Sequence, residues 1–506
     1  MPKVRFEGQE YLRRDDESVL DALTRGGATI THSCRRGTCH ACLMRVIEGD
    51  VSELSKEGLS DELIESGHFL PCQERNTAPL SVAEPDFSFS YVEARLIHRE
   101  ALGGGFWRLR FRPKVPARWT PGQYLHLRRE DGETRSYCIV NQGKRTNFVE
   151  FILEEVKGGV FTQWLCHDLP LRATVELQGP HGNCHLRDDD PVKPLVFLGG
   201  GAAVASLRAI AQDILVRGWN APLRFIYLSD RPAPQNELDT LAALTEEHPH
   251  LHIEAHASTP LEAILPEDSL EGAIIFIAGD PDFVTNARAE AILAGAERRD
   301  VRSNAFEPAQ DYWPSDTNPF DLFQPDPELW KALDEGKLLR TILEDFYTEI
   351  YADELLSPFF ENVTKERAVA KQWSFLADAF SGSRDYFGLK PFNAHHWMII
   401  SDELFDYRED MFERYLDKYN VARPHRRMWL AYQERFRREL VKHKARGLII
   451  DGVEKTIEGF STEQLTVGSV CDGCVSEMPP GTWGRLHLRT GRLYCEECRA
   501  VAVTQS

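Results

Sequence analysis

The period of the hydrophobic pattern changes along the chain, and each change predicts a different kind of element. From about residue 90 to 185 short strand-like runs, "VEARLIH", "FWRLRF", "QYLHLR" and "NFVEFIL", are punctuated by Pro and Gly, which predicts a small β-barrel. From 193 to 305 apolar strands, "PLVFLGGG", "LRFIYLSD", "LHIEAHA" and "AIIFIAGD", alternate with helical stretches. That rhythm predicts a parallel sheet with helices on both faces, with nucleotide beyond the strand C-terminal ends near Gly200, Gly201 and Gly279. The stretch 307–330, "EPAQDYWPSDTNPFDLFQPDPELW", is rich in Pro and Asp and reads as a linker. Beyond it the period becomes helical. Leu339, Leu343, Phe346 and Ile350 fall on one stripe, and Val369, Trp373, Leu376 and Phe380 on a second. Phe405, Phe412, Tyr415 and Tyr419 make a third, and Trp429, Tyr432, Phe436 and Leu440 a fourth. Four amphipathic helices give an all-α domain, and in the simplest account the aromatics are its core.

At 506 residues the chain is too long for one core, and several domains are expected. The net charge of −20 argues against nucleic acid or an anionic membrane as the main partner. The longest apolar stretch, 194–207, is broken by three glycines and is too short to span a bilayer. "MPKVRFEGQEYLRRDDE" lacks the apolar core of a signal peptide, so a cytoplasmic protein is expected.

Eight of the 11 cysteines lie in two tetrads, which without a secretory signal read as metal centres rather than a disulfide frame. Cys34, Cys39 and Cys42 come from one loop, "CRRGTCHAC", and Cys72 returns after 29 intervening residues in "FLPCQ". This is plant-type [2Fe–2S] spacing, with Gly37 letting the backbone wrap close to the cluster. Residues 1 to about 85, through "ESVLDALTRGGATITHSCRRGTCHAC" and "LSDELIESGHFLPCQ", resemble plant-type ferredoxin domains. The fold implied is an α+β β-grasp.

"PGQYLHLR" and "RSYCIV" resemble the flavin domain of the ferredoxin–NADP reductase superfamily. The resemblance implies FAD, with Arg135 at its pyrophosphate, Tyr137 against the isoalloxazine, and Ser136 and Cys138 completing the motif. Cys138 stands where Ser or Thr is usual near flavin N5; its thiol is a weaker donor, and the position is a candidate catalytic one. "GGVFTQWL" resembles the family's GGxxSxxL stretch, which places Gly158, Gly159, Val160 and Thr162 at phosphate. In the nucleotide segment the family's GGTG becomes "GGAA" and its CGPP becomes "AGDP", adding Asp280 beside Gly279. Asp230 in "SDRP" leans towards NADH over NADPH, with Arg231 beside it leaving the choice open. Phe306 in "NAFEPA" matches the aromatic that covers the flavin. A nicotinamide site that has decayed, leaving a binding protein, is the contrary reading of GGAA and AGDP.

Residues 335–445 resemble truncated (2-on-2) haemoglobins through "FYTEIYADELLSPFF", "QWSFLADAFSGSRDYF" and "HHWMIISDELFDYREDMF". The resemblance implies haem b, with Tyr347 reaching over it, Phe360 against the porphyrin, Gln372 as the distal polar residue and His395 as proximal ligand. His395 stands five residues before Ile400 and six before Ser401, and His396 projects about 100° away on a helix, so only one of the pair can face an iron. Arg408 falls where many members carry Trp. A haem-free helical module is the alternative.

Cys471-x2-Cys474, 20 intervening residues, then Cys495-x2-Cys498 has the spacing of a tetrahedral zinc site, with a hairpin, "WGRLHLRTGRLYC", joining two knuckles. Zn2+ in a zinc ribbon is expected, with iron as the redox alternative.

The chain thus reads as multidomain: 1–88 ferredoxin, 89–188 FAD-binding β-barrel, 189–306 NAD(P)-binding α/β domain, 307–330 linker, 331–446 truncated-globin-like domain and 466–501 zinc ribbon. The expected function is NAD(P)H-dependent electron transfer through FAD and [2Fe–2S] to a fused haem for O2 or NO chemistry. The alternative is a reductase component for a separate oxygenase, with the globin-like domain as an O2 or redox sensor.

Overall fold

A computed structural model describes residues 3–499, apart from 15, 29, 31, 33–34, 36, 38–41, 58, 60, 84–90, 114–118, 143–145, 147, 229–232, 307–312, 315–318, 323–324, 361–362, 384–385, 387, 443, 457–458, 466–467 and 489–491. The chain divides into two compact units: Met1–Asp86 with Tyr312–Arg426 and Phe436–Ser506, and Phe87–Asp311 with Arg427–Arg435. Among the described residues no helix is long and apolar enough to cross a membrane.

In the first unit the N-terminal segment forms a five-stranded sheet in the order Gln9–Leu12, Lys3–Phe6, Leu80–Ala83, Met44–Glu48, His68–Phe69. Lys3–Phe6 runs parallel to Leu80–Ala83, and the other pairs are antiparallel. Helix Val19–Arg25 packs Val19 and Leu23 onto Val4, Phe6, Met44 and Phe69. It starts where the Ser18 hydroxyl accepts from the Asp21 amide, satisfying a donor that the first turn leaves open.

The same unit holds the helical segment. Helix Lys337–Ile350 buries Leu339, Leu343, Phe346 and Ile350, the stripe expected from sequence. Thr364 caps helix Lys365–Ser381, which ends at Gly382 in a left-handed conformation. Its stripe buries Val369, Leu376 and Phe380, while Trp373 stays half-buried because its indole N–H donates to the Gly336 carbonyl at 2.9 Å. Ser401 caps helix Asp402–Lys418, with Asp402 and Glu403 at the positive end of its dipole. Phe405 and Phe412 are buried on it, whereas the Tyr415 hydroxyl reaches out to Glu349 at 2.7 Å. The C-terminal segment forms a three-stranded sheet, Phe460–Gln464, Trp483–His487, Arg492–Tyr494, with a small hairpin of Ser469–Val470 and Glu477–Met478.

The second unit contains a six-stranded antiparallel sheet in the order Val149–Glu154, Phe106–Pro113, Tyr91–Gly103, Thr174–His181, Tyr124–Arg128, Thr134–Cys138. Its inward positions, among them Leu96, Leu109, Phe111, Leu127 and Phe151, are solvent-free. Five parallel strands follow, in the order Leu251–His256, Leu223–Leu228, Leu195–Gly199, Ile274–Gly279, Val301–Ala305. The chain turns outward in both directions from Leu195–Gly199, so the switch point, where open parallel sheets receive their ligands, lies at the carboxyl ends of this strand and Ile274–Gly279.

Candidate functional site

Cys42 and Cys72 are buried together, in a cluster with Leu20 and Leu70. The Gln73 amide donates to Cys72 Sγ at 3.6 Å. A Cβ on Gly37, whose φ is +85°, would come within 2.9 Å of Gln73 Cγ, so only a bare backbone passes here. Two buried cysteines with an amide donor and a close-wrapped glycine fit an iron–sulfur cluster. Cys34 and Cys39 lie outside the described residues.

At the flavin position, Arg135 and Tyr137 alternate along the edge strand Thr134–Cys138, paired with Leu127 and Leu125. Both meet Phe161 of the "GGVF" turn: the guanidinium lies 5.4 Å from the Phe161 ring, and the Tyr137 ring 6.3 Å from it. The two motifs read from sequence are therefore adjacent in space. Arg135 pairs with Glu133 at 2.8 Å, and burial keeps the Tyr137 phenol protonated by pushing its pKa up. Gly158 has φ +77°, and Thr162 locks the turn by donating to the Gly159 carbonyl at 3.1 Å and accepting from the Val156 amide at 3.3 Å. Val160 is exposed at the tip of this turn. Ser136 projects to the opposite face from Arg135, where its hydroxyl lies 2.8 Å from His126 Nδ1. Desolvation raises the pKa of the Cys138 thiol, which stays protonated, and its Sγ accepts from the Asn304 amide at 3.6 Å. The same amide donates to the Gly122 carbonyl at 2.6 Å.

Gly200 and Gly201 follow strand Leu195–Gly199, and Gly279 ends the neighbouring strand, so the structure brings the three together at the switch point. The Asp280 carboxylate is occupied locally: it caps helix Pro281–Leu293 by accepting from the Phe283 amide at 3.0 Å. Phe306 N–H donates to the Gly279 carbonyl at 2.8 Å, and its ring packs on the edge of the parallel-sheet core. Asp230 lies outside the described residues.

In the helical segment the two adjacent histidines differ sharply. His395 is half-buried, and its Nδ1 lies 2.8 Å from the Pro391 carbonyl, one turn back. That bond fixes the Nδ1–H tautomer, and Nε2 has no partner among the described residues. Desolvation, aided by the charges of Lys442 and Arg408, pushes the His395 pKa down to about 4, so the ring is neutral and able to donate a lone pair. His396 is fully buried with both ring nitrogens facing carbonyl oxygens, Nδ1 at 2.7 Å from that of Asn393 and Nε2 at 2.6 Å from that of Leu488.

Tyr347 is 6% exposed, and its hydroxyl makes no hydrogen bond among the described residues. Its ring meets Phe360 edge-on at 5.7 Å. The phenol hydroxyl is left able to donate to a polar ligand beside it. Gln372 is half-buried on helix Lys365–Ser381 with no side-chain hydrogen bond among the described residues. Arg408 sits over Phe346 and Phe412 at 4.8 and 5.1 Å, near enough to act electrostatically on both Tyr347 and His395. An imidazole nitrogen and a phenol with no partner among the described residues, beside an aromatic lining, fit a haem.

The ligand atoms of Cys471, Cys474, Cys495 and Cys498 all lie within 4.8 Å of one another. The Gly473 and Cys495 amides donate to Cys471 Sγ at 3.3 and 3.2 Å. Hydrogen bonds from the Ser476 hydroxyl and amide pull the Cys474 pKa down to about 6, favouring thiolate. Four converging sulfurs with amide donors fit a tetrahedral metal ion.

Comparison with known proteins agrees with this geometry. Three family models match: a 2Fe-2S iron-sulfur cluster binding domain over residues 4–76, an oxidoreductase FAD-binding domain over 93–186 and a bacterial-like globin over 329–441. The reductase subunit of an aromatic O-demethylase from Amycolatopsis sp. (strain ATCC 39116 / 75iv2) is 30% identical over 250 residues, 46% of this chain and 73% of its own. The chain belongs to the oxygenase reductase-component family. The reductase component of propane 2-monooxygenase from Rhodococcus jostii (strain RHA1) is 28% identical over 303 residues, 56% of this chain and 80% of its own. Among solved structures, the Amycolatopsis cytochrome P450 reductase GcoB is 25% identical, with 61% of this chain and 100% of that chain covered and a TM-score of 0.42. As a reductase component, the chain is an NAD(P)H-dependent FAD and [2Fe–2S] electron-transfer oxidoreductase.

This reductase component carries polar groups near the flavin motif that its sequence does not announce. Cross-strand pairing sets His126 opposite Ser136, and the His126 ring packs tilted against His181 at 4.7 Å, with Tyr124 5.5 Å from His126 and 5.7 Å from His181. Desolvation, then the neighbouring His181, pushes the His126 pKa down to about 4. Between pH 6.5 and 4 the unfolded chain binds a proton at this residue that the folded chain refuses, so stability falls as pH falls through that window. Thermal melts followed by flavin fluorescence should show this fall, and His126→Gln should flatten it. An equal slope in the variant would assign the effect elsewhere.

Proposed function

We propose that this chain is a self-contained reductase–globin that passes electrons from NAD(P)H to an iron held by His395, for the conversion of NO and O2 to nitrate. FAD and the cluster, when bound, exchange a two-electron hydride for single electrons, and haem supplies O2 binding. One observation carries the reading: a reductase component is fused to a globin-matching segment in which His395 alone of the histidine pair has its Nδ1 anchored and its Nε2 without a partner among the described residues. Arg135, Ser136 and Tyr137, with Gly158, Gly159, Val160 and Thr162, hold FAD. Phe306 covers it, and Gly200, Gly201, Gly279 and Asp280 receive the dinucleotide, with Asp230 favouring NADH. Tyr347 and Gln372 offer hydrogen bonds on the distal side, and Phe360 lines the porphyrin. The ribbon holds zinc, the protein is cytoplasmic, and the domain limits are those read from sequence. NADH-dependent NO consumption by purified holoprotein tests the reading; NO consumption that ignores NADH would reject it.

Membership in a family of reductase components favours a second reading, in which a separate oxygenase takes the electrons and the helical segment senses O2 or redox state. Under that reading reduction of cytochrome c, an external acceptor, should respond to O2 in the wild type and lose the response in His395→Ala.

At Cys138 a hydroxyl would be a stronger donor than the thiol. Cys138→Ser should speed NADH-driven flavin reduction, by roughly three- to tenfold if one neutral hydrogen bond is strengthened in the transition state. Anaerobic stopped-flow absorption reads this rate; no acceleration would place Cys138 away from the reacting atoms.

A further inference from the structure

We propose that the four-cysteine ribbon is a metal-dependent clamp on the helical segment, in which Arg367 and His396 are positioning residues for the helices that bear Gln372 and His395. The inference rests on the reading above for the role of His395, but the contacts themselves do not depend on it.

Asp472 directly follows the ligand Cys471. Its Oδ2 accepts from the Leu493 amide at 2.7 Å, and the Asp472 amide donates back to the Leu493 carbonyl at 2.7 Å. Leu493 lies two residues before Cys495, so Asp472 stitches one knuckle to the other. Its second oxygen, Oδ1, pairs with Arg367 Nε at 2.5 Å, and Arg367 Nη2 reaches the Val470 carbonyl at 3.5 Å. Arg367 stands one turn before Lys371 and Gln372 on helix Lys365–Ser381. The Asp472 side chain is only 9% exposed and that of Arg367 20%, so the pair is shielded from the screening that makes surface ion pairs weak.

The second grip is on the other helix. His396 Nε2 meets the Leu488 carbonyl, and the His396 carbonyl accepts from the Arg446 amide at 2.8 Å. Asn393 exchanges two hydrogen bonds with the Ile449 backbone, at 2.8 and 3.0 Å. Leu448, Leu486 and Leu488 then pack with Leu389 and Ile450 into one apolar cluster. The segment holding His395 is therefore seated on the ribbon through the Leu488 carbonyl and the Leu486–Leu488 side of the apolar cluster, and on the preceding hairpin, Ile449–Ile450 with Val453–Glu454, through Asn393.

The ribbon cannot supply this support alone. Its own core is Cys471, Met478 and Leu493, with Leu465, Cys495 and Cys498 packed against them, and three of these six residues are metal ligands. A segment this small folds on its metal. Removing the ion removes the order of Asp472 and Leu488, and with it both grips.

Hydrogen–deuterium exchange of the full-length protein tests this, comparing zinc-loaded protein, chelator-stripped protein and zinc-loaded Arg367→Ala. Stripping should speed amide exchange in 365–381 and in 391–396 by roughly tenfold or more, leaving strand 149–154 unchanged. Arg367→Ala, with its zinc retained, should loosen 365–381 alone, and Arg367→Lys should restore part of the protection. Exchange unchanged by stripping, or by Arg367→Ala, overturns the clamp. Where haem is present, stripping should also hasten its loss to an apoglobin acceptor by a similar factor. Protein without any Soret band contradicts the role of His395 while the exchange result still decides the clamp.

Discussion

His395→Ala is expected to cost the protein its haem, with content falling more than about tenfold, while NADH oxidation through flavin and cluster continues. Lone pairs decide the difference between the two histidines. Nδ1 of His395 is committed to the Pro391 carbonyl, and desolvation keeps the ring neutral, so Nε2 is the one imidazole nitrogen of the pair left to bind iron. Alanine removes it, and His396 cannot replace it because both of its nitrogens face carbonyl oxygens. His396→Ala should therefore keep a Soret band of normal position, and lose haem faster through the weakened seat on Leu488. Haem analysis and absorption spectra of the two variants read the difference. A normal spectrum in His395→Ala, or a missing one in His396→Ala alone, would reverse the assignment.

Gly122→Ala is expected to damage the flavin domain more than other conservative changes around the motif. Gly122 sits at φ +95° in the "PGQY" turn, and a Cβ there would fall 2.0 Å from the Cys184 carbonyl oxygen and 2.8 Å from Ile210. The left-handed backbone costs an alanine about 1 kcal/mol, and forcing the neighbouring backbone aside adds about 1–3 kcal/mol. A loss of about 3 kcal/mol corresponds to a fall in Tm of about 10 °C for a unit of this size. The Asn304 bond to the Gly122 carbonyl would shift as well, disturbing the same amide's contact with Cys138. Thermal melts and flavin content measure both effects. A Tm within about 2 °C of wild type would mean that the turn does not approach Cys184 as described.

The parts of the site legible in the sequence are those whose chemistry is local. Cysteine spacing marks the C-terminal tetrad, whose four sulfurs the structure brings together, and Cys42 with Cys72 of the first, because a metal needs its ligands within one or two tight loops. The stretch from His395 to Ser401 separates two adjacent histidines, because helix geometry turns neighbours to different faces. The Asp-Pro pair at 280–281 sits at a helix start, where an added carboxylate finds an amide to accept from. What stayed hidden depends on register or on distant pairing. His126 meets Ser136 only because the hairpin pairs them, and a one-residue slip would put either on the other face. Asn304 reaches Cys138 across 166 positions, and Arg367 reaches Asp472 across 105, with no local signal at either end. Trp373 matched the apolar stripe yet stays half-buried, because its N–H needs the Gly336 carbonyl.

The central claim is that one chain carries electrons from NADH to an iron on His395. An anaerobic titration of the purified ferric holoprotein with NADH, followed by absorption, tests it most directly. The account predicts bleaching of flavin and cluster bands together with a Soret shift from ferric to ferrous. Bleached flavin and cluster beside an unchanged ferric Soret band would contradict it.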